Sequence, residues 1–185
     1  MLNWSPETEY GESGLESETQ MLECLDSLVQ QAPVRRELDA IADRLKASLA
    51  AGRSADLVYQ PIDLSLYGAT LPPGIRSSWV FALRRNTVSG AERHPDSIQR
   101  MMSYRGSGDL QTMPAERWIS NHLVSDPDAP LKDRWISIPE GVWHQGVMGN
   151  EDWLVVSFHT AAAEDLIEER PSAGEEGTTR RHYLG

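Results

Sequence analysis

The sequence predicts a mainly β fold, a single barrel or sandwich preceded by N-terminal α-helices. Three observations predict it. Beyond Gly52 the apolar runs are short and are cut by turn residues at near-regular intervals, with no helical period between them. Before Gly52 the apolar residues recur at three- and four-residue steps. The length of 185 residues favours one domain with a sizeable core.

The elements follow in order. Residues 1–18 are acidic, rich in Ser and Gly, and without period, so they read as an unstructured N-terminus. Met21, Leu22, Leu25, Leu28 and Val29 fall on one face and predict a helix over 19–31. Pro33 suits the first turn of a second helix. Val34, Leu38, Ile41, Leu45 and Leu49 carry that helix over 33–50, and Gly52 stops it. The helical extension therefore spans 19–52 and the β domain 53–163. Strands are expected at 56–60, 62–67, 78–85, 99–104, 117–124, 134–138 and 152–159. Between them stand breakers such as Pro61, Gly68, Pro72-Pro73-Gly74, Ser89-Gly90, Gly106-Ser107-Gly108 and Pro139-Glu140-Gly141. Residues 164–185 read as a charged tail, and a short helix fits Ala161–Glu169.

The net charge of −11 sits at the ends. Residues 1–26 hold seven acids and no base, and residues 164–185 hold six acids and three bases, which leaves the body between them nearly neutral. Acidic ends of this kind read as solvated tails. No contiguous basic stretch tracks phosphates, which argues against nucleic acid as a partner. No apolar run reaches the length of a membrane span, and the first residues lack a secretory pattern. The single cysteine, Cys24, forms no internal disulfide. Together these features predict a cytoplasmic protein with no membrane partner.

Two segments carry the chemistry. One is Glu92-Arg93-His94-Pro95-Asp96-Ser97-Ile98-Gln99, running on to Gly106. The other is Pro139-Glu140-Gly141-Val142-Trp143-His144. Glu92 and His94 are two apart and would share one face of a strand. Pro139 and Gly141 make a tight turn that delivers His144 onto the next strand. The pair resembles the two motifs of the cupin superfamily, G-x5-H-x-H-x(3,4)-E-x6-G and G-x5-P-x-G-x2-H-x3-N. The centre of the second motif matches at Pro139, Gly141 and His144, while Asp133 and Met148 replace its leading Gly and final Asn. The first keeps its spacing but changes its chemistry: Glu92 and His94 take the two His positions, Gln99 takes the Glu position, and Asn86 replaces the leading Gly. Another register places His94 and Asp96 in the His positions. It leaves Arg100 or Met101 in the acid position, where neither suits a cation.

The resemblance covers roughly residues 78–160 and implies a double-stranded β-helix, the cupin or jelly-roll barrel. It implies a divalent metal ion (iron, zinc, manganese or nickel) held by Glu92, His94, Gln99 and His144, and a homodimer. Two imidazoles and a carboxylate form an open site of the kind used by non-haem iron oxygenases. The expected activity is that of an enzyme on a small organic molecule, of dioxygenase, isomerase or lyase type. A different reading is a non-catalytic barrel that binds a small ligand, since Gln99 is a poorer ligand than Glu. In a third, a metal-independent sugar-nucleotide epimerase or isomerase, His94 is base and Tyr104 acid. His159, ending a strand, is a candidate general base or a surface residue. Trp143 and Met101 are candidate ligand-binding residues. Glu92 has a plainer alternative as a surface acid paired with Arg93 or Arg100. Most of the six tryptophans are expected to fill the core or an interface.

Overall fold

The computed structural model describes residues 12–52, 55–172 and 177–183. Helix α1 (Glu12–Gln30) and helix α2 (Ala32–Ala51) precede ten strands. These are β1 (Leu57–Pro61), β2 (Ser77–Leu83), β3 (Gln99–Arg105), β4 (Ser107–Met113) and β5 (His122–Val124), followed by β6 (Trp135–Ile138), β7 (Trp143–Met148), β8 (Trp153–His159), β9 (Ile167–Pro171) and β10 (Thr178–His182). A short helix, α3 (Leu131–Arg134), leads into β6.

One sheet runs β1-β2-β8-β3-β6 and the other β5-β4-β7, all antiparallel. Residues 86–93 extend the smaller sheet. Asn86, Ser89 and Glu92 donate backbone bonds to Gly149, Gly146 and His144, and Arg93 pairs on its far side with Glu169 of β9. The hairpin β9–β10 thereby continues that sheet. The order β2-β8-β3-β6 facing (86–93)-β7-β4-β5 is the eight-strand, double-Greek-key jelly roll.

Two apolar cores explain the burial. Trp79, Phe81, Met101, Val155 and Trp153 of the large sheet meet Leu110, Leu123 and Met148 inside the barrel. The outer face of the same sheet, with Val80, Ala82, Met102, Val156 and Phe158, is covered by Leu25, Leu28, Val34, Leu38, Ile41 and Leu49 of the helices. Strands β2 and β8 are thus buried on both faces throughout, which is why they read as continuous apolar runs rather than alternations. Each buried Leu or Ile of the helical face contributes about 1.5–3 kcal/mol, so apolar burial outweighs polar contacts in docking the helices.

Polar contacts set the register of that docking. Asp26 accepts from Arg134 and from Trp135 Nε1, and Glu18 accepts from Arg100 Nε and Nη2 at 2.7 and 2.8 Å. Burial pushes the Glu18 carboxyl up, but the Arg100 guanidinium and Ser137 outweigh it and hold it below the usual carboxylate range.

Several sequence expectations are corrected. The first helix begins at Glu12, so residues 12–18 are helical; residues 1–11 lie outside the described residues. Residues 64–70 form a 3-10 turn rather than a strand, because Asp63 caps it by accepting from Ser65 N. Strands β4 and β7 are absent from the expected set: Gly, Asp and Gln interrupt their apolar pattern. Residues 164–185 are not simply a tail, since β9 and β10 pair within them, and β9 replaces the helix expected over Ala161–Glu169.

Gly108 lies flat against the Trp153 indole, so a Cβ there would overlap the ring. Gly108→Ala is therefore expected to destabilise the fold by about 1–3 kcal/mol in urea unfolding, and an unchanged midpoint would show that the ring moves freely. Glu18→Gln removes the carboxylate facing Arg100, which is 5 % exposed, at an expected cost of about 1–3 kcal/mol near neutral pH. Because the Glu18 carboxyl is depressed in the folded state, its contribution is present above the unfolded carboxylate range. It is lost as pH falls through the folded value. The difference between variant and wild type should shrink on acidification; a difference constant with pH would exclude this ion pair as its source.

Candidate functional site

The site is assembled by one turn and one strand pair. Gly141 adopts φ +71° in the Pro139–Val142 turn, a conformation that glycine takes without strain. Its N–H donates to the His94 carbonyl at 2.8 Å, which ties the two sequence segments together. Beyond the turn, Glu92 and His144 exchange both backbone hydrogen bonds, at 2.9 and 2.8 Å, so their side chains emerge side by side on one face. His94, two residues from Glu92, joins them. Donor atoms of Glu92, His94 and His144 all lie within 4.8 Å of one another.

Both imidazoles of this trio are oriented by the backbone. His94 Nδ1 lies 2.8 Å from the Ile167 carbonyl and His144 Nδ1 lies 3.1 Å from the Val142 carbonyl. A carbonyl only accepts, so each Nδ1 carries a proton, and in the neutral ring the lone pair is at Nε2. His144 Nε2 is 3.6 Å from Glu92 Oε1, too long for a hydrogen bond, and is a buried atom without a partner. Glu92 is clamped from the other side by Arg170 Nη2. Arg170 Nε also donates to Glu168 Oε1 at 2.8 Å, and Arg181 reaches the same carboxylate.

The electrostatics follow from burial and these contacts. Burial alone would raise the Glu92 carboxyl, but His144, His94 and the Arg170 guanidinium outweigh it and keep the group ionised. Burial and the neighbouring His144 push His94 down, and burial pushes His159 well down, so both rings are neutral at neutral pH. Burial, and then the Glu92 and Glu168 carboxylates, raise the Tyr183 phenol well above its usual value. An ionised carboxylate beside the neutral His94 imidazole is a pair of donors that metal ions bind.

The large sheet supplies the opposite wall. Gln99 of β3 stands in register with His159 of β8, and Gln99 Oε1 is a buried acceptor without a partner. A cavity of about 40 Å³ lies between the sheets, lined by Glu92, Gln99, His144 and Ser89 on its polar side and by Met101, Leu110, Phe81 and others elsewhere. Water needs roughly 10–15 Å³, so the space suits about three water-sized groups.

The structure brings together Glu92, His94, Gln99, His144 and Met101, with His159 beside them, and it separates Tyr104 and Trp143. His159 is inside the barrel, with its ring 5.2 Å from that of His94, and is not at the surface. Ser157 and Ser97 hydroxyls lie 3.3 and 3.5 Å from its two nitrogens. Tyr104 is corrected: it sits on the helical side of the large sheet, where its hydroxyl donates to Asp39 at 2.8 Å. Trp143 is corrected too, because strand alternation turns it away from His144, and Arg93 stacks on its ring at 4.7 Å. Glu92 pairs with Arg170, while Arg93 pairs with Glu169 and Arg100 with Glu18. Sequence reasoning missed Arg170, the Ile167 carbonyl and Tyr183, whose ring packs against Trp79 and His94. The Glu-Glu-Arg run at 168–170 was their one visible trace.

The strand order and the Pro-x-Gly-x-x-His turn make this a double-stranded β-helix of the cupin type. No family model matches the chain, and no curated protein sequence does. Solved structures similar to it include oxalate oxidase in complex with glycolate, at 13 % identity and TM-score 0.46, covering 60 % of this chain and 53 % of that one. CapF with the inhibitor 3-isopropenyl-tropolone is similar at 12 % identity and TM-score 0.47, over 60 % of this chain and 30 % of its own. Procruciferin, an 11S globulin from Brassica napus, follows at 14 % identity and TM-score 0.48, over 66 % and 29 %. The chain thus spans about half or less of each neighbour's length. No described helix is long and apolar enough to cross a membrane.

Arg170→Leu leaves Glu92 and the 1 %-exposed Glu168 without their shared cation. It is expected to destabilise the fold by about 1–3 kcal/mol in urea unfolding, the partly solvated guanidinium keeping the cost moderate. Arg181→Ala, at an exposed arginine, should cost under about 1 kcal/mol. Equal losses in the two variants would refute the clamp.

Proposed function

We propose that the barrel binds a divalent metal ion (iron, zinc, manganese or nickel) through Glu92, His94 and His144, and that it is an enzyme acting on a small organic molecule. The observation that carries this reading is the buried ring nitrogen His144 Nε2. It has no partner and stands beside an ionised carboxylate and a second imidazole of the same tautomer. An unmet acceptor in the interior costs about 1–3 kcal/mol, a cost that a cation at this point removes. When bound, such an ion supplies a Lewis acid or an oxygen-activating centre. Around it, the Ile167 and Val142 carbonyls hold the Nδ1 edges of the two imidazoles, Arg170 orients Glu92, and the Tyr183 ring packs against His94. Gln99, in the position of the fourth expected ligand, is the weakest donor of the set because its amide oxygen is uncharged.

A second reading, a non-catalytic barrel that binds a small ligand, is favoured by that same glutamine and by the modest cavity.

Elemental analysis of protein purified without a histidine tag discriminates the two. About one ion per chain is expected in the wild type, with His94→Ala and His144→Ala each losing most of it. A wild type that stays metal-free after reconstitution would sink the metal reading and leave the ligand-binding one.

A further inference from the structure

All three nitrogens of the Arg170 guanidinium are engaged. Nε donates to Glu168 Oε1 at 2.8 Å, Nη1 to the Ser89 carbonyl at 3.4 Å, and Nη2 to Glu92 Oε2. Glu168 is buried and is held in turn by Arg181, whose Nη2 lies 2.7 Å from the same Oε1. The guanidinium is therefore fixed from three sides, and it fixes one oxygen of Glu92. The other oxygen, Oε1, stands 3.6 Å from His144 Nε2, a buried atom with no hydrogen-bond partner. The two oxygens of one carboxylate thus have different neighbours, a cation at Oε2 and an imidazole at Oε1. Arg170 belongs to β9, 78 residues from Glu92 and outside both sequence motifs.

We infer that Arg170 is a positioning residue that restricts Glu92 to binding the ion through Oε1 alone, and so keeps one coordination position open for a water or a substrate oxygen. This rests on the metal reading above. The reason is charge. An ion that took Oε2 as well would share that oxygen with a guanidinium already within hydrogen-bond distance, one cation beside another where the interior screens their repulsion poorly. Arg170 is kept from retreating by Glu168, whose buried carboxylate it neutralises. The number of donors then decides what kind of site this is. Through one oxygen, Glu92, His94 and His144 supply three donors, the number that leaves a fourth position for water or substrate at a catalytic zinc. Through two oxygens the same residues supply four, the number of a closed structural zinc site. Glu92 and His144 both line the cavity of about 40 Å³ between the sheets, which places a small bound group beside these donors. Arg170 separates the open site from the filled one without itself binding the ion.

The test is a set of crystal structures of the full chain loaded with zinc, with elemental analysis of the same samples. In the wild type, Glu92 Oε1 is expected at the zinc–oxygen bonding distance of about 2.0–2.2 Å, with Oε2 unbound and still held by Arg170. Arg170→Met removes the cation and keeps an apolar side chain of similar length. It is expected to retain zinc, gain Oε2 as a second bond and lose one bound water. Arg170→Gln, neutral but still able to donate to Glu168, is read in the same way and decides the matter where Arg170→Met does not fold. Arg181→Ala loosens the same hairpin without touching Glu92 and is expected to keep one-oxygen binding. Zinc on both Glu92 oxygens in the wild type would overturn the inference alone. So would one-oxygen binding, or loss of zinc, in a folded Arg170→Met or Arg170→Gln, and so would two-oxygen binding in Arg181→Ala. A wild type that takes up none of zinc, manganese, nickel or iron would refute the metal reading and the inference with it.

Discussion

The backbone pair between Glu92 and His144 is the constraint on which the site depends. Two reciprocal hydrogen bonds fix which residue faces which, and a slip of one position would turn the carboxylate and the imidazole to opposite sides of the sheet. Gly141 guards that register from one end, because its N–H reaches the His94 carbonyl only when the turn is formed. From the other end, Ser89 and Asn86 continue the same ladder against Gly146 and Gly149. The chemistry is therefore built on backbone pairing between strands rather than on a free loop.

The C-terminal hairpin is coupled to that geometry at three points. The Ile167 carbonyl sets the His94 tautomer, Arg170 grips Glu92, and Glu169 pairs with Arg93 in both backbone and side chain. Its acids and bases neutralise one another locally, so a segment that looks like a charged tail buries Glu168 and Glu169. Arg170 is the cation that Glu92 and Glu168 share, so this hairpin and the site are tied together through buried charge.

Parts of this were legible in the sequence. The apolar stripes of α1 and α2 predicted both helices, because amphipathic periodicity survives any tertiary context. Pro139, Gly141 and His144 were legible since turn chemistry is local. Strands β4 and β7 were not, because the residues that let them pack are Gly108, pressed against Trp153, and Gly146, which leaves the cavity open. A glycine reads as a breaker until its neighbour across the core is known. Tyr104 left its expected place, and the place of His159 stayed open, for the same reason. Sequence shows that a side chain sits on a strand, but not which face the helices will cover.

The sequence by itself determined the class of fold, the two helices and the short list containing Glu92, His94, Gln99 and His144, since period, turn and spacing are properties of neighbouring residues. Only the tertiary structure decided that Arg170 closes on Glu92, that each histidine of the site turns Nδ1 to a backbone carbonyl, and that Gln99 Oε1 is buried without a partner. Those facts depend on contacts between residues up to 78 positions apart, and such contacts exist only when both sheets and the hairpin are in place.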